Sequence, residues 1–243
     1  VGSGITLSPD GDVFVTGIST FSEGIADDIT INGVTVGKGA NSVASNTALG
    51  LNALAANTTG TNNVAVGHNT LDANTTGGSN TAIGRNSLGA NTTGTANAAV
   101  GLSALESNTT ASNNTAVGYF ALLSNTTGTQ NVSVGAYALD ANTTANDNTA
   151  VGYRALGANT TGADNVAVGK DALLSNTTGS NNVAIGDDAL NGNAADNNTA
   201  IGHHALVSNT TGTRNVAVGA FALDNSTTTG DNTAIGAYAM TSS

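Results

Sequence analysis

Residues 63–79 read Asn63-Val64-Ala65-Val66-Gly67-His68-Asn69-Thr70-Leu71-Asp72-Ala73-Asn74-Thr75-Thr76-Gly77-Gly78-Ser79, and the same order of residue types begins again with Asn80-Thr81-Ala82-Ile83-Gly84. The glycine closing the opening motif recurs at Gly50, Gly67, Gly84, Gly101, Gly118, Gly135, Gly152, Gly169, Gly186, Gly202, Gly219 and Gly236. Ten of the eleven intervals are 17 residues. The other, Gly186 to Gly202, is 16, and there Asn191-Gly192-Asn193-Ala194-Ala195-Asp196 replaces the usual Asn-Thr-Thr-Gly segment, so that coil should have a shortened turn. Self-similarity at a fixed short period marks a solenoid of stacked units.

Each unit reads as β rather than helix. Val64 and Val66 sit two apart, so they face one way and Ala65 the other. The first branched position runs Thr, Val, Thr, Ala, Thr, Val, Thr, Val, Val, Thr, Val, Thr along the chain, and the second is always Leu, Val or Ile. An Ala-Leu pair, as at Ala104-Leu105, supplies the other apolar wall, and no stretch has the length or spacing of a helix. The glycine permits the positive φ of a tight corner. Stacked about 4.7–4.9 Å apart, the coils would make a rod on the order of 55–60 Å long.

Equivalent side chains then stack. Asn46, Asn63, Asn80, Asn97, Asn114, Asn131, Asn148, Asn165, Asn182, Asn198, Asn215 and Asn232 form one expected amide ladder. A second runs through Asn57, Asn74, Asn91, Asn108, Asn125, Asn142, Asn159 and Asn176, expected at the opposite corner. An interior of two branched residues, one Leu and a few methyls is thin. It contributes roughly 4–7 kcal/mol per coil, at about 1.5–3 kcal/mol for each large side chain. Ordering the backbone costs at least as much. Burial between chains would close the gap, and the small face of Ala48, Ala65, Ala82, Ala99 and Ala116 is shaped for a close neighbour. The expected assembly is a parallel homotrimer.

Composition excludes several classes. Charged residues are 9% of the chain, against about 25% in ordinary globular domains. Disorder is excluded by 39% hydrophobic residues. A net charge of −11 with five basic residues cannot neutralise a run of phosphates, so no nucleic-acid partner is expected. No apolar run approaches the ~20 residues that cross a bilayer, so no membrane insertion is expected. There is no cysteine, hence no disulfide or thiolate metal site. A chain starting at Val1 without a visible signal peptide suggests processing or a fragment.

The motif Asn182-Val183-Ala184-Ile185-Gly186 resembles the head repeat of trimeric autotransporter adhesins of the YadA type. That resemblance implies a left-handed parallel β-roll trimer, although the usual adhesin unit is shorter. The longer unit, with Ala-Leu and Asn-Thr-Thr-Gly, is similar to repeats of phage tail-fibre and appendage proteins. Residues 7–18, Leu7-Ser8-Pro9-Asp10-Gly11-Asp12-Val13-Phe14-Val15-Thr16-Gly17-Ile18, are similar to segments of those fibres. With no anchor or coiled-coil stalk in the sequence, the resemblance implies a virion tail fibre or an extracellular, cell-surface appendage.

Residues 1–41 carry no repeat and read as a small β cap, leaving residues 42–243 as the repeat domain. Asp10-Gly11 and Asn32-Gly33 are hairpin-turn signals between apolar stretches. At the other end the last coil is unfinished at Ser243, where either the protein continues or another subunit's cap docks. The fold class is therefore all-β: a parallel β-roll or β-solenoid of about twelve 17-residue coils, an intertwined or side-by-side homotrimer, with an N-terminal β cap.

Chemistry finds little support. No catalytic residue, metal ligand or cofactor is expected, and the sequence points away from an enzyme. His203 and His204 are adjacent, and on a strand they would point to opposite faces, which disfavours a shared metal. The Asn-Thr-Thr sequons serve turns and ladders. The distinctive residues gather at the two positions after each motif glycine: His68, Arg85, Tyr119, Phe120, Tyr137, Tyr153, Arg154, Lys170, His203, His204, Phe221 and Tyr238. This line reads either as a contact stripe for a receptor such as a cell-surface glycan, or as a tolerant outer edge or groove between chains. The leading function is a structural fibre or adhesin for host or surface attachment. Alternatives are a self-assembling extracellular filament subunit and an ice-binding solenoid.

Overall fold

The structure, a computed structural model, describes residues 5–7, 13–15, 29–31 and 34–241. It is an all-β solenoid. Each coil contributes one three-residue strand, from β5 (Thr47–Leu49) to β16 (Thr233–Ile235). These twelve strands stack in parallel register, Thr47 beside Val64, Ala48 beside Ala65 and Leu49 beside Val66. Hydrogen bonds run both ways along the stack: Val64 N donates to Asn80 O and Gly67 N to Leu49 O, each at 2.8 Å.

The strands are turned the opposite way from the sequence expectation. Ala65, Ala82 and Ala99 are fully buried, whereas Val64 and Val66 are half-buried and Ile83 is 40% exposed. The branched residues form the outer face and the alanines line the interior, so no alanine face exists for a neighbour. The reason lies two residues earlier. Asn63 shares the parity of Ala65, and its amide must reach inward to satisfy the coil's own backbone. Between the strand and the facing wall of Leu71, Leu88 and Leu105, all fully buried, there is room for a methyl but not for a pair of branched side chains.

Both asparagine columns are buried and linked. Asn74 Nδ2 donates to Asn57 Oδ1 at 3.0 Å and Asn91 Nδ2 to Asn74 Oδ1 at 2.9 Å. In the other column Asn63 N donates to Asn46 Oδ1 at 2.8 Å, and Asn97 Nδ2 to Asn80 Oδ1 at 3.2 Å. The columns do not occupy opposite corners. Asn63 Nδ2 and Asn74 Nδ2 both donate to Gly77 O, at 2.9 and 3.0 Å, so the two ladders meet on the two lone pairs of one buried carbonyl. The asparagines of the Asn-Thr-Thr sequons from Asn57 to Asn176 are therefore inaccessible in the folded rod.

Each regular coil also holds three non-glycine residues at positive φ, as at Asn69 (51°), Leu71 (50°) and Ser79 (59°). A left-handed Leu costs about 1–2 kcal/mol, which burying its side chain, at about 1.5–3 kcal/mol, offsets. At the corner Gly67 has φ 138°, and a Cβ there would lie 2.7 Å from Gly84 O in the next coil.

The 16-residue coil keeps the strand register, with Val183 beside Thr199. The missing residue is absorbed between Asn193 and Asn198. Asn193 holds the ladder position and donates to Ala195 O only two residues on, while its bond to Asn176 Oδ1 lengthens to 3.5 Å.

At the N-terminal side, β1 (Ile5–Leu7) pairs antiparallel with β2 (Val13–Val15), and β3 (Ile29–Ile31) with β4 (Val34–Gly37). β4 pairs antiparallel with β5 and covers the edge of the parallel stack. A 3-10 turn, Ala40–Ser42, joins them, with Ala40 N donating to Leu54 O and Asn41 Nδ2 to Asn57 O. The expected turns at Asp10-Gly11 and Asn32-Gly33 lie outside the described residues.

Candidate functional site

The two positions after each motif glycine follow directly on the strand and lie at the outer surface in most coils, although Ser103 and Asp171 are buried. The second of them is left-handed in every coil: Asn52, Phe120, Tyr137, Arg154, His204 and Phe221 have φ between 54° and 60°. Its N–H donates to the carbonyl of the first position one coil earlier, as Tyr137 N to Tyr119 O and Arg154 N to Ala136 O, both at 3.0 Å. This conformation swings the second side chain beside the first. Tyr119 and Phe120 have ring centroids 4.1 Å apart, and His203 and His204 4.0 Å apart. The expectation that the two histidines point to opposite faces is thereby corrected: they sit on a left-handed turn, not on a strand.

The stripe resolves into three groups. In the first, Tyr137 stands edge-on to Tyr119 at 5.3 Å and to Tyr153 at 6.2 Å, with Phe120 at 5.7 Å. Tyr119 and Tyr153 are 43% and 48% exposed. The second group is charged. Lys170 Nζ lies 3.2 Å from Asp171 Oδ2 and 3.6 Å from Asp187 Oδ1, and Arg154 lies 3.7 Å from Asp171 Oδ1. The neighbouring carboxylates hold the Lys170 ammonium above its usual range, the Asp171 hydrogen bond first. The third group joins His203 to Phe221 at 5.0 Å and stacks Phe221 on Tyr238 at 5.1 Å with 5° between planes. Asp187 and Asp188 face the two imidazoles at 3.9 and 3.6 Å. His68 and Arg85, both exposed, lie nearer the N-terminal end and join neither aromatic group.

A column that the sequence reading passed over completes the picture. The fifth residue after the glycine reads Ala55, Asp72, Gly89, Glu106, Leu123, Asp140, Gly157, Leu174 in successive coils. Wherever glycine occupies it, the wall is notched. Around Gly89 a cavity of about 300 Å³ is lined by Asn69, Asp72, Asn86 and Glu106. Around Gly157 one of about 380 Å³ is lined by Asp140, Arg154, Leu174 and Ser175. Burial pushes the Asp72 and Asp140 carboxyls above their usual range, against the pull of backbone hydrogen bonds, and Arg154 also pulls on Asp140. Reading columns down the repeat, with attention to glycine standing among larger residues, was the signal that could have found them.

Among the described residues no group of three or more His, Cys, Asp and Glu side chains is placed to hold a metal, and no helix is long and apolar enough to cross a membrane. No family model, curated protein or solved structure matches this chain.

Proposed function

We propose that this chain is the rod of a structural, adhesive fibre, a phage tail fibre or surface appendage, in which three copies pack in parallel through the outer faces of their sheets. The observation that carries the reading is the outward face itself. Its second file runs Leu49, Val66, Ile83, Val100, Val117, Val134 and onward without a polar residue, and Ile83, Val117 and Ile185 are 37–40% exposed. No described part of the chain covers it. Twelve strands at about 4.8 Å by three residues at about 3.3 Å give an outer face of roughly 550 Å² in projection, which the apolar file shares with a file that is Thr in six coils, Val in five and Ala in one.

A second copy is the occupant whose pitch fits. Any rod of the same coil spacing meets this face in step over its full length, whereas a globular partner meets only part of it. A symmetry axis along the rod keeps all copies pointing the same way, as a fibre with a base and a tip requires. On this reading the repeated coil supplies reach, the variable stripe supplies contact with a host or surface, and the protein works on a virion or cell exterior.

Native mass spectrometry of the purified chain should give three times 23.5 kDa. The double substitution Val117→Asp and Val151→Asp should release monomers that keep a β-type circular dichroism spectrum. A monomeric or dimeric wild-type chain overturns the proposal.

A further inference from the structure

The two notches in the outer wall are built on the same plan but carry opposite charge. At Gly157 the chain supplies its own cation: Arg154 lines the notch and pulls on the Asp140 carboxyl. At Gly89 the equivalent places hold Asn86 instead of Arg154 and Glu106 instead of Leu174. Two carboxylates, Asp72 and Glu106, therefore line this notch with no Lys or Arg among the lining residues. His68 also acts on Asp72, but it is exposed and does not line the notch.

Oxygens converge on this notch. A Cβ built at Gly89 would have three of them as its nearest neighbours: Asn86 O at 3.3 Å, Asp72 Oδ1 at 3.5 Å and Asn69 O at 3.7 Å. At Gly157 the corresponding trio includes a methyl, Leu174 Cδ1, at 3.2 Å. Asn86 Oδ1 is buried and has no hydrogen-bond partner among the described residues, while its Nδ2 turns toward Glu106 Oε1 at 3.5 Å. A buried amide oxygen without a donor is costly unless something positive meets it.

We infer that the Gly89 notch binds a calcium ion, held by the carboxylates of Asp72 and Glu106, the amide oxygen of Asn86 and the backbone carbonyl of Asn69. Calcium takes about six to eight oxygens at roughly 2.3–2.6 Å and mixes carboxylate, amide, carbonyl and water freely, whereas magnesium demands a tight octahedron. Asp72 and Glu106 stand one coil before and one coil after Gly89, so two rises separate their backbones by roughly 10 Å. An oxygen–calcium–oxygen span of about 5 Å fits between them with an acidic side chain reaching in from each side. The cavity of about 300 Å³ leaves space for the waters that complete the shell. Burial raises the Asp72 carboxyl and the Glu106 charge adds to it, two penalties that a divalent cation relieves. The donors come from three successive coils of one chain, so the ion would staple those coils together, and binding is expected whatever the native mass of the rod.

The whole chain should be stripped with a chelator, dialysed into about 0.15 M sodium chloride to screen exposed charges, and titrated calorimetrically with calcium chloride. One saturable site per chain is expected, and the melting temperature should climb with calcium concentration, as mass action requires. Magnesium chloride should bind at least tenfold more weakly. Asp72→Asn and Glu106→Gln should each weaken calcium binding at least tenfold. Gly89→Leu, which places in the notch the residue found at Leu123 and Leu174, should abolish it. Asp140→Asn, at the other notch, should bind as wild type. Without metal Asp72→Asn should melt slightly above wild type, and with calcium the order should reverse, a change of sign that a misfolded variant does not produce. No saturable binding overturns the inference. So does binding that survives all three substitutions at the notch, the mark of an adventitious ion only, and so does magnesium bound as tightly as calcium.

Discussion

The position held by Ala65 and the position held by His68 lie three residues apart in every coil, yet they follow opposite rules. Down the first column the residue is Ala in eleven coils and Ser in one, Ser133, whose hydroxyl is satisfied by Ala138 O at 2.7 Å. Down the second it is Leu, His, Arg, Tyr, Ala, Lys or Asp. The first faces a closed interior that repeats every 17 residues and admits one shape. The second faces outward, where each coil is free to carry different chemistry. In a solenoid, constancy from coil to coil marks what is inside, and variation marks what the rod presents.

That contrast is testable by substitution, and the largest effect should come from the constant interior. Leu139→Ala empties a fully buried position in mid-rod and should cost about 2–5 kcal/mol in urea unfolding. A loss below 1 kcal/mol would mean that the leucine wall does not carry the fold. Asn125→Ala should follow at about 3 kcal/mol. It removes donors to Asn108 Oδ1 and Gly128 O and the acceptor for Asn142 Nδ2, leaving buried polar groups worth roughly 1–3 kcal/mol each short of partners. If the ladders are ornamental, this variant will melt with wild type.

The smallest effect should come from the outer wall. Burial raises the Asp72 pKa, and Glu106 adds to it. A carboxyl raised in the folded state favours folding fully only below its unfolded value of about 3.9, and that contribution is lost as pH rises through the folded value. Asp72→Asn should therefore raise the melting temperature slightly at pH 7, and the gap should close by pH 3. A lower melting temperature for Asp72→Asn at pH 7 would show that the carboxylate is stabilised where it sits.

The period, the strands and the asparagine columns were legible in the sequence because each is written once per coil. The direction in which the strands face was not. Alternation fixes that Val64 and Ala65 oppose each other but is silent on which is inside, and apolarity favoured the valines. The deciding clue was Asn63, on the parity of Ala65, together with the constancy of both. The meeting of the two ladders on Gly77 O escaped because it joins residues 14 and 3 apart, a distance set by turns whose left-handed residues, Leu71 among them, carry no compositional mark. On the stripe the residues were found but not their grouping. His203 and His204 were read as strand neighbours, and the notches were missed because a glycine outside the motif looks like any other turn residue.

The side-chain amides have a consequence that reaches the ends of the stack. Backbone bonds between coils alternate in direction only around the strand; from Leu54 to Gly60 every N–H that bonds the neighbouring coil donates toward the C-terminal side, and the same holds at these positions in later coils. The asparagine amides do not alternate. From Asn74 to Asn176 in one column, and from Asn97 to Asn232 wherever the other makes the same bond, every Nδ2 points toward the N-terminal end and every Oδ1 away from it. Their moments add along the axis, as peptide moments do in a helix, and run against the surplus of backbone N–H groups that point the other way. The rod is chemically directional, and its amide columns run on across an end-to-end contact only when two such rods meet head to tail.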